Sequence, residues 1–351
     1  MTRKLKYSQA VNEAIDQCMA RDPSVYTMGL GVPDPKGVFG TTLGLLEKHG
    51  SARVLDMPAS ENAMTGVALG SALVGMRPIL SHQRVDFCLL ALDQIANQAA
   101  NWRYMFGGRH KVPLVIRLIV GRGWGQGPQH SQSLHAWFAH VPGLKVVMPS
   151  DPYDAKGLMV SAVEDDNPVI FLEHRWLHER VGHVPEELYR VPLGPPKRVR
   201  EGTDVTLVAI SYMNVEALRA AELLEEEGVS AEVIDLRCLN PLEDAPILES
   251  VRKTGALVVL DTAWTRGGFG AEVACRVAEK AFGALKRPPV RIALPDLPTP
   301  TSPALSAHYY PRSPQVVAAV RRLLGLEGRP EVAWRGNVPL DVPDVGLYGP
   351  F

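Results

Sequence analysis

The sequence predicts an α/β protein made of two doubly wound domains. Short, mainly apolar segments such as 114–120 and 205–210 alternate with segments of helical periodicity. This alternation is typical of parallel strands that helices cover on both faces. It occurs twice along the 351 residues, on either side of a proline-rich stretch at 184–201. The predicted units are a first domain over 1–188, a linker over 189–203, a second domain over 204–326 and a C-terminal arm over 327–351.

The first run of elements begins with an amphipathic helix at 8–20. Its apolar residues recur every three or four positions and therefore share one face. They are Ala10, Val11, Ala14, Ile15 and Cys18. The pattern then predicts a strand at 24–28, a Gly- and Pro-rich loop at 29–40, a helix ending at 48, a strand at 53–55, a helix from 61, a strand at 79–82, a long helix at 87–105, a strand at 114–120, and strands at 146–148 and 169–172 around a helix at 153–163.

The second run repeats the alternation after residue 204. It predicts a strand at 205–210, a helix at 215–227, strands at 231–235 and 257–261, a helix from 270, a strand at 290–293 and a last helix from 313 to about 325. Ser313 and Pro314 form a helix start, and Gly325 suits a helix end. The last 25 residues carry four prolines and little periodicity. We expect them to form an arm on a neighbouring surface.

Composition excludes several classes of protein. A formal charge of −1 gives no electrostatic reason to expect nucleic acid or an anionic membrane as a partner. Four cysteines without a CxxC pair argue against a zinc site or a disulfide framework. No apolar run approaches the ~18 residues of a membrane span, and the first residues lack the apolar core of a signal peptide. We expect a location in the cytoplasm, or in an organelle matrix after processing.

A single acid, Glu61, begins a helix that is otherwise small and apolar, AMTGVALGSALV over 63–74. Two interpretations are open. An acid at a helix N-terminus commonly interacts with the helix dipole. Alternatively, a carboxylate held away from water shares its proton with a ligand, because burial raises its pKa.

Two glycine clusters follow predicted strands, at 121–127 and 267–270. Neither completes GxGxxG, and neither is followed by the Lys-Ser/Thr of a P-loop, so tight turns are the simpler interpretation. His130 follows the first cluster. A histidine on a glycine loop suits proton transfer because its pKa lies near neutrality, although a solvent-facing histidine is equally compatible. His130, His135 and His140 recur every five residues, a spacing that spreads them around a helix and argues against a metal site.

Taken together, several long segments of the sequence resemble the β subunit of the thiamine-diphosphate-dependent 2-oxo acid dehydrogenases. This subunit belongs to the E1 component of the pyruvate and branched-chain complexes. The resemblance extends from about residue 7 to 324. It rests on GVFGTTLGLLEKHGSARVLDMPASENAMTGVALGSALVGMRPI, ALDQIANQAANWRYMFGG, QHSQSLHAWFAHVPGLKVVMPSDPYDAKGL, DDNPVIFLEH, VTLVAISYMNVEALRAAELLEEEGVSAEVIDLRCLNPLE and TRGGFGAEV. It implies a thiamine-diphosphate pyrimidine-binding domain followed by a transketolase C-terminal-like domain.

The resemblance also implies roles for single residues. Glu61 matches the acid that hydrogen-bonds N1′ of the cofactor's aminopyrimidine and so takes part in catalysis. Phe87 matches the aromatic that stacks on this ring, although a core position in the 87–105 helix is an equal alternative. Gln83, four residues earlier, is a further cofactor-binding candidate. His130 matches the catalytic histidine that faces the thiazolium.

A monovalent cation is the third ligand that the resemblance suggests. Some relatives hold K⁺ at the positions that match Ala162, Asp165 and Asn167. The alternative interpretation is an ordinary turn, because Asp, Asn and Pro favour turns.

The family's diphosphate and magnesium motif is absent from the chain: there is no Gly-Asp-Gly followed by an Asn pair. In two-chain relatives this motif lies on the α subunit. The resemblance therefore implies that the chain binds only the pyrimidine half of the cofactor, that a separate α subunit holds Mg²⁺ and the diphosphate, and that the assembly is α2β2. A lipoyl acyltransferase is a further candidate partner.

Several positions depart from the family pattern. Gly29 is followed by Leu30-Gly31 where relatives carry acids, and Ser81-His82-Gln83-Arg84 replaces an acidic or apolar stretch. His82 and Arg84 either contact an anionic substrate or pair on the surface. The leading hypothesis is oxidative decarboxylation of a 2-oxo acid with acyl transfer to a lipoyl group. A split transketolase-like enzyme that uses an aldehyde acceptor and a non-catalytic scaffold are the alternatives.

Overall fold

The fold is built on two mainly parallel sheets. The computed structural model describes residues 3–123, 125–336 and 338–342. The strands are β1 Lys4–Lys6, β2 Val25–Met28, β3 Val54–Leu55, β4 Arg77–His82, β5 Val115–Val120, β6 Lys145–Val147, β7 Val169–His174, β8 Val181–His183, β9 Lys197–Arg200, β10 Val205–Ala209, β11 Ala231–Asp235, β12 Cys238–Asn240, β13 Leu257–Trp264 and β14 Val290–Leu294.

Helices connect most of these strands. They are α1 Tyr7–Arg21, α2 Leu45–His49, α3 Glu61–Leu73, α4 Val85–Cys88, α5 Ala100–Met105, α6 His135–His140, α7 Pro152–Glu164, α8 Met213–Glu225, α9 Ala245–Thr254, α10 Phe269–Ala281, α11 Pro303–Ser306 and α12 Ser313–Leu324. The five apolar residues predicted to share a face of α1 are all buried. No helix in the described ranges has both the length and the apolar character of a bilayer span.

Within the described residues, the first sheet has the order β12–β6–β7–β5–β4–β2–β3. The strands from β6 to β3 are parallel, and β12 runs antiparallel to β6. All residues of β5 and β7 are buried because helices cover both faces. The adjacent residues Ile79 and Leu80 of β4 illustrate this, since Ile79 packs with α1 and α7, whereas Leu80 packs with α3. The predicted α/β class is confirmed.

The second sheet has the order β14–β13–β10–β11–β9 in the described part of the chain. Only β9 is antiparallel, and it pairs with β11. Since β9 lies inside the segment predicted as a linker, part of that segment is attached to the second sheet. Helices α8 and α12 pack on one face of this sheet, and α9 and α10 pack on the other.

A strand absent from the sequence prediction joins the two halves. Strand β12 follows β11 of the second sheet along the chain but pairs with β6 of the first sheet, with Cys238 opposite Val147. The Met148 N–H donates to the Arg237 carbonyl at 2.7 Å. A strand of three residues is too short to reveal a period of two, so its pairing depends on the tertiary structure.

The prediction of one continuous helix at 87–105 is wrong. The chain instead forms α4, a 3₁₀ turn at Leu89–Ala91, a π-helical segment at Asp93–Ala99, and α5. Cys88, Ala91, Ile95 and Ala99 are buried, and their spacing fits an α-helix equally well. Hydrophobic periodicity therefore could not distinguish these helix types.

The C-terminal arm folds back on its own chain. The Arg329 guanidinium pairs with Glu227 at 2.9 Å, and the Trp334 ring lies 4.7 Å from the Arg312 guanidinium carbon. The arm thus covers α8 and α12 over its described residues, while 343–351 lie outside the described part of the chain.

A buried ion pair fixes the carboxyl edge of the first sheet. Arg117 of β5 and Glu173 of β7 are both 0% exposed, and their closest atoms are 2.7 Å apart. Arg117 also donates to the hydroxyls of Ser81 (3.1 Å) and Thr41 (2.7 Å). Burial alone would raise the pKa of Glu173, but Arg117 and the neighbouring His178 outweigh this, so the pKa lies below its usual value.

We expect Glu173→Gln to lower the free energy of unfolding by about 3–5 kcal/mol, because it leaves the Arg117 charge buried without a counter-ion. Urea denaturation followed by circular dichroism measures this loss. The control is Glu164→Gln, which breaks a half-exposed pair with Arg190 and should cost less than about 1 kcal/mol. Equal losses would contradict the assignment.

The effect of Glu173→Gln should also depend on pH. A carboxyl group whose pKa is depressed in the folded state stabilises the fold above its unfolded pKa and loses that contribution as the pH falls through the folded value. The difference between wild type and variant should therefore narrow below about pH 4.

Candidate active site

The predicted catalytic and cofactor-binding residues lie at the carboxyl edge of the first sheet. Parallel strands end at a common edge, where α/β proteins bind their ligands. Glu61 begins α3 shortly after β3, Gln83 and Phe87 follow β4, and His130 ends the loop that follows β5. These residues lie in separate segments of the sequence, and the order of the parallel strands brings the segments to the same edge of the sheet.

Glu61 is the first residue of α3 and is partly exposed. The start of α3 is fixed against the segment after α4, because the Asn62 amide donates to the Leu90 carbonyl at 3.3 Å. Burial raises the pKa of the Cys88 thiol, and the negative charge of Glu61 adds to this effect. Among the described residues, no hydrogen bond or ion pair engages the Glu61 carboxylate.

His82 lies beneath α3 and is 2% exposed. Its Nε2 is 3.3 Å from the Thr65 hydroxyl, which itself donates to the Glu61 carbonyl. Burial lowers the pKa of His82 to about 4, so the ring is neutral near pH 7. A buried neutral imidazole is unsuited to binding an anionic substrate, and we assign His82 to the attachment of α3 to β4.

Phe87 and His130 are in contact. Their ring centroids are 5.2 Å apart at an interplanar angle of 87°, and both residues are partly exposed. Asp86, which the sequence analysis did not select, accepts a hydrogen bond from the Gln132 amide at 2.9 Å. Asp86 therefore links the segment that carries Phe87 to the segment that carries His130. Its position next to Phe87 was the only signal in the sequence.

Gln83 and Arg84 hold neighbouring loops. The Gln83 amide donates to the Leu30 carbonyl at 2.9 Å. Arg84 is 3% exposed, donates to the Gly121 carbonyl at 2.7 Å and contacts the Gln126 side chain. The predicted surface pairing of Arg84 is therefore wrong, because its guanidinium is buried against the first glycine cluster. Trp124 of that cluster lies outside the described residues.

The second glycine cluster forms the start of α10, as tight-turn chemistry predicted. Asp261 accepts a hydrogen bond from the Gly270 N–H at 3.0 Å and so occupies this helix N-terminus. Its other carboxylate oxygen lies 2.9 Å from His135 Nε2. Burial alone would raise the pKa of Asp261. His135 and the backbone donors lower it by a larger amount, so the pKa lies below its usual value. His135 thus connects α6 to the second sheet.

The predicted cation site lies in a turn that already contacts cationic side chains. The Asp165 carbonyl accepts from Arg77 at 3.1 Å, and its carboxylate contacts Lys145. The Asn167 side-chain oxygen accepts from Arg103 at 2.7 Å, and the Ala162 carbonyl accepts from the Asp165 N–H at 3.3 Å. Each of these residues thus has a hydrogen-bond or ion-pair partner within the chain, and the K⁺ site remains a prediction.

The described residues contain no cluster of three or more His, Cys, Asp or Glu side chains that would hold a metal ion. Glu61, Phe87 and His130 at the sheet edge have the chemistry needed to bind the aromatic ring of a cofactor. The carboxylate at the start of α3, the partly exposed aromatic ring of α4 and the histidine of the turn Pro128–His130 follow three strands of the same sheet. Such a set can accept a proton from a heterocycle, stack on it and exchange a proton beside it.

Comparison with known proteins identifies the family of both halves of the chain. Residues 3–179 match the family "Transketolase, pyrimidine binding domain", and residues 194–316 match "Transketolase, C-terminal domain". The chain is 47% identical over 334 residues to the acetoin:2,6-dichlorophenolindophenol oxidoreductase subunit beta of Cupriavidus necator, covering 92% of this chain and 98% of that protein.

Two further proteins are also similar. The mitochondrial pyruvate dehydrogenase E1 component subunit beta-2 of Oryza sativa subsp. japonica is 41% identical, over 91% of this chain and 86% of that protein. The solved structure "Split gene transketolase, inactive beta4 tetramer" superimposes with a TM-score of 0.74 at 27% identity, over 92% of this chain and 99% of that one. The chain therefore belongs to the transketolase-like family, as a β subunit of the 2-oxo acid dehydrogenase E1 type.

Proposed function

We propose that the chain is the β half of a thiamine-diphosphate-dependent E1 enzyme that decarboxylates a 2-oxo acid and passes the acyl group to a lipoyl arm. One observation carries this proposal: the Glu61 carboxylate, without a partner in the described chain, lies at the same sheet edge as the Phe87–His130 contact. It does so in a chain whose first half matches a pyrimidine-binding family.

Each residue has a stated role in this proposal. Bound thiamine diphosphate supplies a carbon nucleophile and then stabilises the negative charge that remains when the adjacent C–C bond breaks. Glu61 holds a proton shared with the pyrimidine ring nitrogen. Phe87 stacks on that ring, and Gln83 keeps the loop after β2 in place through the Leu30 carbonyl. His130 moves a proton beside the reacting carbonyl group.

The proposed enzyme needs a second polypeptide. The absence of the Gly-Asp-Gly and Asn-pair motif leaves Mg²⁺ and the diphosphate to an α subunit, in an α2β2 assembly with a cofactor at each junction. The partial exposure of Glu61 supports this assignment, because a partner that closes over the site would remove this carboxylate from water. A lipoyl acyltransferase would complete the pathway of the acyl group, and the cytoplasm or an organelle matrix is the proposed location.

A neutral α-hydroxyketone such as acetoin is a second candidate donor. The 47% identical relative carries acetoin in its name. In addition, Arg84 is buried and donates to Gly121, which makes it a poor ligand for the carboxylate of a 2-oxo acid. The transketolase-like alternative, with an aldehyde acceptor, is supported by the likeness to the split transketolase.

Reconstitution tests the proposal. We expect the chain alone to give no turnover and the chain with a Gly-Asp-Gly-containing α subunit to reduce 2,6-dichlorophenolindophenol when a 2-oxo acid is supplied. Acetoin as the sole active donor would select the second candidate. Ligation of an aldehyde without acylation of a lipoylated domain would refute the leading version.

Glu61→Gln should lower turnover of the reconstituted enzyme by at least about 10²-fold, because the amide cannot hold the shared proton. Steady-state dye reduction measures the loss. Glu47→Gln is the matched control, since Glu47 is an exposed acid in the first turn of α2, and its turnover should be unchanged. Full activity of Glu61→Gln would support the non-catalytic scaffold.

His130→Asn should lower kcat by about 10²-fold or more, because asparagine retains hydrogen bonding but cannot transfer a proton near neutral pH. The binding of thiamine diphosphate, followed by fluorescence quenching, should change little. The exposed His140 offers a control, and His140→Asn should leave dye reduction intact. If both histidine variants behave alike, His130 has no catalytic role.

A further inference from the structure

The loop that carries His130 is held by residues from the far end of the chain. We call residues 121–130 the glycine loop, of which all but Trp124 are described. Its Arg122 is 2% exposed. The Arg122 Nη1 lies 3.0 Å from the Asp341 carboxylate, and Nη2 donates to the Thr301 carbonyl at 3.0 Å. Both acceptors belong to segments that follow the second sheet.

The glycine loop makes a second close approach at Gly127. A Cβ atom at this position would lie 2.3 Å from the Thr301 hydroxyl oxygen. A side chain at this position would therefore displace the Thr301 hydroxyl from its present place. Between these two points, Arg122 Nε donates to the Gln126 carbonyl at 3.2 Å. The loop is thus fixed at both ends immediately before the turn Pro128–His130.

Asp341 is itself firmly placed. The same carboxylate oxygen accepts a hydrogen bond from the Ser306 hydroxyl at 3.0 Å. The carbonyl of the next residue, Val342, accepts from Arg312 at 2.7 Å. Arg312 is 0% exposed and pairs with Glu216 of α8 at 3.0 Å. This part of the arm is therefore attached to the second half of the chain at adjacent residues.

The Asp341 carboxylate is the counter-ion of a buried guanidinium, so its loss should cost more than the loss of a neutral hydrogen-bond acceptor. Side-chain exposure is 2% for Arg122 and 9% for Asp341. Removing one member of a buried ion pair is costly because the remaining charge stays in a medium that solvates it poorly. Without the carboxylate, only neutral oxygen acceptors would remain around the Arg122 charge. A movement of the loop that brings Arg122 into water would then lower the free energy of the protein.

We propose that Asp341 is a positioning residue, which holds the glycine loop through Arg122 and so keeps His130 against Phe87. The consequence for turnover rests on the catalytic role proposed for His130. The C-terminal arm then acts on the site without reaching it. A displacement of His130 by about 1 Å is enough to lower the rate substantially.

Hydrogen–deuterium exchange on the full chain, assembled with its α subunit, tests the attachment. Asp341→Asn keeps the size of the side chain and removes its charge. We expect amides in 121–134 to exchange at least about tenfold faster in this variant. Asp341→Glu restores the charge and should recover most of the protection. The matched control is Arg335→Gln, which breaks an exposed contact between the arm and Glu226 and should leave 121–134 unchanged.

Kinetics of the same variants test the consequence. We expect kcat to fall about tenfold in Asp341→Asn, with little change in the affinity for thiamine diphosphate, because Glu61 and Phe87 lie on other elements. Unchanged exchange in 121–134 would overturn the proposal. Faster exchange with wild-type kcat would overturn the link to His130. If the wild-type complex turns over no donor, the proposed function fails, and the exchange experiment still decides whether Asp341 holds the loop.

Discussion

A guanidinium group that is removed from water must find acceptors for its N–H groups, and around the site of this chain that requirement ties together segments far apart in sequence. Arg117 joins β5 to β7 and to the loop after β2. Arg84 joins the end of β4 to the glycine loop. Arg122 joins the glycine loop to the C-terminal arm. Each is nearly or fully buried, so the loops at the sheet edge cannot move independently without exposing a charge.

In the proposed function, these loops form one half of a site that a second polypeptide completes. Its carboxylate and its aromatic ring are partly exposed in the described chain, and the diphosphate motif is absent from the sequence. A rigid half-site is useful when the other half arrives on another protein, because the cost of ordering the loops has already been met on folding. The proposed dependence on an α subunit and the stiffness of the sheet edge are thus two aspects of the same arrangement.

The second half of the chain contributes more than a surface for association. Strand β12 extends the first sheet, and Asp261 binds His135 at the start of α6. Thr301 and Asp341 also contact the segment 121–135, through Arg122. The segment that carries the predicted catalytic histidine is therefore anchored both by Arg84 and Asp86, which lie within fifty positions, and by residues more than one hundred positions away. The second half of the chain could therefore influence the chemistry proposed for His130 through the position of this segment.

The sequence by itself determined what depends on neighbours in the chain. Strand and helix periodicity predicted the α/β class, the buried face of α1 and a helix that begins at Glu61, because apolar spacing and turn residues are local signals. The windows that contain Phe87 and His130 could also be selected in advance. Their contact could not, because 43 positions separate them and the order of the parallel strands brings them together. The same reason applies to β12, whose three residues show no period of their own.

Only the tertiary structure decided which polar residues are buried and what they bind. From the sequence, Arg84 and His82 were equally compatible with the surface, and the arm offered no periodicity to interpret. The structure places Arg84 against Gly121, leaves His82 neutral beneath α3, and joins Asp341 to Arg122, 219 positions earlier. The free energy of burying a polar group depends on partners supplied by the whole fold. No local pattern encodes those partners, and they are what fix the geometry of the site.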